Sequence, residues 1–369
     1  MPRAETAQRR VYLDANATEP LLPAARAALL AAFDQIGNPA SAHGPGRAAR
    51  ALLEAARETI AQRFGARPAD LVFTSGGTEA NTLAITGLGI GRRRIIGATE
   101  HDAVRAAAPE AAILPVDPAG RADLAALEQT LAGTDGAFVA LMLANNETGV
   151  LHPIPAAARL CHRFGAHLHV DAVQAAGRLA LDWAALGADS LALSAHKLGG
   201  PTGVGALLLA PDAADRLVPL IKGGGQERGR RGGTPALAAI AGFAAAASTP
   251  PADLAPLRDA AEMAARAAGA IVCGAGAARL PNTTCLALPG VAAETQVIAL
   301  DLAGIAVSAG AACSSGKVAR SHVLAAMGLG ELAGQAIRVS LPWNVCADDI
   351  TAFAAAYQAM ARRLARRAA

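Results

Sequence analysis

The sequence predicts an α/β fold: a parallel sheet covered on both faces by helices, followed by a smaller α+β domain. Three observations carry this expectation. At 369 residues the chain is too long for one small core and favours two domains. From about residue 11 to residue 242, short apolar runs alternate with helical stretches, the pattern of repeated βαβ units. Ser248-Thr249-Pro250-Pro251 then breaks the alternation. The expected division is a large domain over 14–248 and a small domain over 249–369, completed by residues 1–13.

Taken in order, residues 48–64 read as an amphipathic helix and 71–74 as a short apolar strand. Residues 95–98, 137–143, 167–170 and 190–193 read as further strands. In an open parallel sheet the ligand sits beyond the carboxyl ends of the strands. The residues at those ends are Ser75-Gly76-Gly77-Thr78, Glu100-His101, Asn145-Asn146-Glu147, Asp171 and Ser194-Ala195-His196-Lys197. Each of these segments carries a chemically useful side chain. Past residue 251 the order is helix, strand, helix, strand and a final helix with a basic end over 362–367. No internal repeat is present.

Composition narrows the function classes. Hydrophobic residues make up 53% and charged residues 17%, as in a packed globular protein. The formal charge of +3 gives no case for nucleic acid. Residues 1–10 are polar and basic without an apolar stretch, unlike a secretory signal, and the longest uncharged apolar run, 236–247, is too short to span a bilayer. Five cysteines without CxxC spacing argue against a disulfide framework and a structural zinc site, so no metal is expected and the cytoplasm is the natural compartment.

The lysines point to chemistry. Only Lys197, Lys222 and Lys317 occur, against thirty arginines, and a guanidinium never becomes the free amine that a Schiff base requires. Lys197 is the lysine placed at a strand end; the bland alternative is a surface lysine in a turn. Asp171 ends another strand, where a buried carboxylate needs a partner such as a protonated pyridine nitrogen, although an aspartate here also serves as a helix cap. Gln174 can hydrogen-bond a phenolic oxygen on the same ring. The Gly76-Gly77-Thr78 turn opens a helix whose free N–H groups suit a phosphate, with Ser194 and His196 as further donors. A glycine-rich turn is weak evidence by itself. His101 can stack on a flat ring and move protons, or be structural. Together these residues read as a site for pyridoxal 5'-phosphate.

Their order along the chain carries a resemblance. Tyr12-Leu13-Asp14, Gly37-Asn38-Pro39-Ala40-Ser41-Ala42-His43, Thr74-Ser75-Gly76-Gly77-Thr78-Glu79-Ala80-Asn81, Asn145-Asn146-Glu147-Thr148-Gly149, His169-Val170-Asp171-Ala172-Val173-Gln174, Ser194-Ala195-His196-Lys197 and Gly223-Gly224-Gly225-Gln226-Glu227-Arg228-Gly229 closely resemble cysteine desulfurases of the NifS/IscS type. These are class-V aminotransferase-group enzymes of pyridoxal-phosphate fold type I. The resemblance implies a mostly parallel seven-stranded sheet in the large domain. It makes Lys197 the Schiff-base lysine, Asp171 the pyridine-nitrogen partner, Gln174 the phenolate-oxygen donor and His101 the stacking histidine. Gly77, Thr78, Ser194 and His196 fall in its phosphate-binding segments. Thr234 matches a threonine that reaches the phosphate of a neighbouring subunit, which implies a homodimer with shared sites. Asn146 and Arg338 match residues that hold the substrate carboxylate, and Asn146 also borders the cofactor.

Among the cysteines, Cys161, Cys273 and Cys285 sit in helical or apolar text and read as core residues, and Cys346 lies in a late loop. Cys313 stands in Ser308-Ala309-Gly310-Ala311-Ala312-Cys313-Ser314-Ser315-Gly316, small residues that predict an exposed loop, near Lys317, which favours the thiolate. The segment also resembles the family's catalytic loop. The expected reaction takes L-cysteine to L-alanine and leaves a persulfide on Cys313, for an acceptor such as an iron–sulfur scaffold or a carrier. Related reactions, a selenocysteine lyase or an aminotransferase, remain alternatives. A dinucleotide oxidoreductase lacks its G-x-G-x-x-G spacing here, and intact Lys197, Asp171 and Cys313 speak against a silent binding partner. Departures from the common family text include Glu19 for a second threonine, Ala195 for a glycine, and Leu341-Pro342-Trp343-Asn344 for Leu-Gly-Arg-Phe.

Overall fold

The computed structural model describes residues 10–310 and 320–368, with side chains through residue 364. Thirteen strands run along the described chain. They are β1 (Val11–Tyr12), β2 (Leu71–Thr74), β3 (Arg94–Gly97), β4 (Ala112–Leu114), β5 (Phe138–Met142), β6 (His167–Asp171) and β7 (Ser190–Ser194). There follow β8 (Gly205–Leu209), β9 (Ile271–Cys273), β10 (Thr283–Ala287), β11 (Ile305–Ala306), β12 (Ser308–Ala309) and β13 (Ala336–Ser340).

Seven of them form one sheet in the order β2-β8-β7-β6-β5-β3-β4. Only β8 runs against its neighbours, pairing antiparallel with both β2 and β7, so the mostly parallel seven-stranded sheet holds. Alternate residues along the strands feed two different cores. Leu71, Phe73, Val139, Leu141, Leu168, Val170, Leu191 and Leu193 pack on one face with helices Gly44–Phe64, Ile154–Arg163 and Leu237–Ala247. Val72, Phe138, Ala140, Ala192, Leu207 and Leu209 pack on the other with helices Gly77–Gly87 and Pro211–Arg216. A sheet covered on both faces explains why its strands read as continuous apolar runs.

The remaining strands build a four-stranded antiparallel sheet, β12-β13-β10-β9, and the parallel pair β1-β11. Here too the faces separate. Leu286, Ile337 and Val339 join Val11, Leu13, Phe353 and Tyr357 in one core, while Cys273, Cys285 and Ala336 pack under helix His322–Ala326. Arg338 and Ser308 are register partners on adjoining strands. Cys161, Cys273 and Cys285 are buried free thiols and Cys346 is exposed, as their sequence contexts implied. Among the described residues no helix is long and apolar enough to cross a membrane.

Candidate active site

The carboxyl ends of β2, β5, β6 and β7 converge on a cavity of about 240 Å³. Gly77, Thr78, His101, Asn146, Asp171, Gln174, Ser194, His196 and Lys197 all line it. A second cavity of about 390 Å³ adjoins it and shares His101, Asn146, Gln174 and Lys197. That space extends to Ser308, Gly310, His322 and Arg338. Thr234 lines neither cavity and is exposed on the segment after Gly233. Cys313 lies outside the described residues, which stop at Gly310 and resume at Arg320.

Lys197 follows β7 in a single helical turn, Ala195–Lys197. Its amine donates to the carbonyls of Asn16 and Ala17, the latter at 3.0 Å. Burial, and then the positive charges of Arg338 and Arg178, lower its pKa from 10.5 to about 7. An amine so placed is available as a nucleophile and base near neutral pH. The neighbouring His196 is lowered to about 4, first by burial and then by Lys197, so it stays neutral. Its Nδ1 lies 3.1 Å from the Thr18 hydroxyl.

Asp171 closes β6 with a buried carboxylate. One oxygen accepts from the Val173 amide at 2.9 Å, the other from Asn81 Nδ2 at 2.7 Å. Among the described residues no ion pair meets it, and burial raises its pKa. A cation delivered into the cavity is what this carboxylate lacks. Gln174 spends one amide hydrogen on the Asn16 carbonyl at 3.0 Å, and its oxygen accepts from Arg178; the second amide hydrogen remains. His101 Nδ1 accepts from the Ala103 amide at 3.1 Å and caps helix Asp102–Ala107, so a neutral ring carries its proton on Nε2.

At the opposite end, Gly76 adopts φ +155°, a conformation open to glycine. A side chain at Gly77 would meet Val173 Cγ2 at 2.6 Å and Ser194 Cβ at 3.3 Å, so only glycine keeps this turn open. The turn leads into helix Gly77–Gly87, whose first N–H groups face the cavity beside Thr78 and Ser194. Glu79 accepts from the Ser75 amide at 2.7 Å and pairs with Arg231 at 2.8 Å. That pair ties the turn to the segment leading to Thr234.

In the adjoining cavity, Arg338 donates to the Asn146 carbonyl at 3.1 Å and to Asp14 at 2.8 Å. Its Nε and Asn146 Oδ1 are buried without a hydrogen-bond partner. Unsatisfied polar atoms beside an open space mark a place for a ligand. Four further residues shape the site without having stood out in the sequence: Asn16, Asn81, Arg178 and His322. Asn16 donates to the Asn146 carbonyl and to Thr283, while His322 Nε2 approaches the Glu100 carbonyl at 3.0 Å. The signal for Asn16, Asn81 and His322 is spatial, since their partners lie many residues away, whereas Arg178 reaches back four residues to Gln174 as well as to distant Ala15 and Glu19.

A phosphate turn, an amine of lowered pKa and a buried carboxylate without a cation fit pyridoxal 5'-phosphate in size and in donor chemistry. The comparisons agree. The class-V aminotransferase family matches residues 11–353. A cysteine desulfurase of Cereibacter sphaeroides is 43% identical, the match covering 92% of each chain. An IscS-like cysteine desulfurase of Mycobacterium tuberculosis is 38% identical over 92% of this chain and 93% of its own. Among solved structures, a NifS-like protein from Rickettsia africae superposes with a TM-score of 0.86 at 33% identity, covering 95% of this chain and 99% of that one. The chain therefore belongs to the class-V aminotransferase family, among the pyridoxal-phosphate-dependent cysteine desulfurases of the NifS/IscS type.

Proposed function

We propose that the enzyme converts L-cysteine to L-alanine and passes the sulfur to Cys313 as a persulfide. The observation that carries this reading is the single cavity in which the Lys197 amine, the Asp171 carboxylate and the Gly76-Gly77-Thr78 turn face one another. Lys197 holds the cofactor as a Schiff base. Thr78, Ser194, His196 and the amides around Gly77 take its phosphate, Asp171 its ring nitrogen and Gln174 its phenolic oxygen, with His101 over the ring. Bound pyridoxal phosphate supplies an electron sink that loosens the Cα proton and the Cβ–S bond of cysteine.

The chain's own groups supply the rest. Arg338 and Asn146, which line the adjoining cavity, orient the substrate carboxylate, the guanidinium and the Asn146 amide nitrogen donating to it. Lys197, once the substrate amine has released it, takes the Cα proton, its pKa lowered to about 7 by burial and then by Arg338 and Arg178. His101 offers its Nε2–H as a hydrogen-bond donor beside the reacting groups, and the Cα proton held on Lys197 is returned as the products form. The Cys313 thiolate attacks the substrate sulfur; the Cβ–S bond breaks, a sulfur–sulfur bond forms, and the pair left on carbon is protonated. Cysteine plus one enzyme thiol gives alanine plus one enzyme persulfide, so atoms and electrons balance.

The same reading makes residues 14–248 the cofactor-binding domain and residues 1–13 with 249–369 the small one. It makes the enzyme a cytoplasmic homodimer in which Thr234 reaches the neighbouring subunit's phosphate. A protein acceptor, an iron–sulfur scaffold or a carrier, receives the sulfur. The test is incubation of the yellow protein with L-cysteine, with alanine quantified and the persulfide mapped by mass spectrometry. Alanine without a persulfide on Cys313, or alanine that depends on an added keto acid, would refute it.

A further inference from the structure

We propose that Ser190, His169 and Asn81 form a one-directional hydrogen-bond relay that holds Asp171 as an ionised, acceptor-only carboxylate toward the cofactor's ring nitrogen; this rests on the role proposed above for Asp171. The four side chains are buried and lie in series. The Ser190 hydroxyl is 2.8 Å from His169 Nδ1, His169 Nε2 is 2.8 Å from Asn81 Oδ1, and Asn81 Nδ2 is 2.7 Å from Asp171 Oδ2. His169 and Ser190 are register partners on β6 and β7, and Asn81 faces them from helix Gly77–Gly87. The Phe138 ring stacks on His169 with centroids 6.3 Å apart, closing that side to water.

The direction follows from what each group can do. An amide nitrogen only donates and an amide oxygen only accepts. With Nδ2 toward Asp171, Asn81 turns its oxygen to His169, which must then donate from Nε2. Burial keeps His169 neutral, at about 3, so its Nδ1 is left to accept from Ser190. Reversing the series would set Asn81 Oδ1 against the carboxylate, and only a protonated Asp171 could meet it. Burial by itself pushes Asp171 toward that neutral form. The relay opposes burial, and its members act as positioning residues that leave the cofactor's own contacts to Asp171.

The test uses the holoenzyme reconstituted with cofactor labelled with ¹⁵N at the pyridine nitrogen. That nitrogen's NMR shift reports its protonation, and titration of the cofactor onto the apoprotein reports affinity. In Asn81→Ala the signal is expected to move from the protonated toward the neutral position. Affinity should fall about 10- to 100-fold, the range for a lost hydrogen bond to a charged group. Ser190→Ala should move the signal part of the way, and Ser190→Thr, which keeps the hydroxyl, should restore it. A protonated nitrogen in Asn81→Ala beside a neutral one in Asp171→Asn would overturn the relay and leave the Asp171 assignment intact. A protonated nitrogen in Asp171→Asn would overturn both. If Asn81→Ala does not fold, the Ser190 pair decides, and identical signals in Ser190→Ala and the parent refute the relay.

Discussion

Lys197 offers the most quantitative test of the site. An amine at the ordinary lysine value of 10.5 is neutral in roughly one molecule in 3,000 at pH 7, whereas one at about 7 is neutral in about half. Its surroundings therefore raise the nucleophilic fraction roughly a thousandfold. The perturbing groups are named by the structure: burial first, then Arg338 and Arg178, with Asp14 and Asp171 pulling the other way. The assay is trace acetylation of the apoprotein with acetic anhydride across pH, read at each lysine peptide by mass spectrometry. Exposed Lys222 serves as the internal reference for reagent decay. The neutral amine is the reactive form, so labelling of Lys197 should rise with pH and level off above about 7. Arg338→Gln removes a neighbouring cation and should shift the midpoint upward. A parental midpoint near 10.5, or a midpoint indifferent to Arg338→Gln, would refute the electrostatic argument.

Three further outcomes are expected. Cys313→Ala should keep the cofactor's visible absorbance and lose persulfide formation; undiminished turnover would sink the role given to that cysteine. Gly77→Ala forces a methyl against Val173 Cγ2, 2.6 Å away, and should cost about 1–3 kcal/mol with weakened cofactor binding. Calorimetry and cofactor titration check it, and parental values in both would count against the turn's close packing. Glu227→Gln should cost about 3 kcal/mol or more in denaturant unfolding, because Arg57 and Glu227 are both buried and pair at 2.8 Å. The Phe73 amide also loses a charged acceptor at 2.9 Å. Unchanged stability would mean that water already reaches the pair.

Local signals made much of this legible in the sequence, and long-range ones did not. His169-Val170-Asp171-Ala172-Val173-Gln174 carries a strand, its end and two site residues within one segment, so period and polarity suffice to read it. β8, in contrast, is five small or apolar residues without alternation, and its antiparallel direction is decided by pairing with β2 and β7. β4, three residues at the sheet edge, is too short to announce itself. Asn81 reads as an ordinary helix residue; only the packing of its helix on β6 brings it to Asp171. Asn16 acquires its meaning from Asn146, Lys197 and Thr283, which no spacing rule connects to it.

The departures from the common family text are also joined in space. The Glu19 carboxylate accepts from the Trp343 amide at 2.7 Å and lies 3.5 Å from Arg178, while Trp343 Nε1 donates to the Pro20 carbonyl at 2.9 Å. Two sequence changes more than 300 residues apart thus meet as one contact between the start of the chain and the segment after β13. The ion pair within it does not stabilise by attraction alone. Burial raises the Glu19 pKa and lowers Arg178 to about 10, so desolvation outweighs the pairing at both partners. Removing one partner is then worse than never having had either. Glu19→Thr, the usual family residue, leaves Arg178 as a buried cation and the Trp343 amide without its acceptor, and should cost about 3–5 kcal/mol. A denaturant titration measures this. A loss below about 1 kcal/mol would show that water already screens the Glu19–Arg178 pair, because a surface-like pair is worth no more than that.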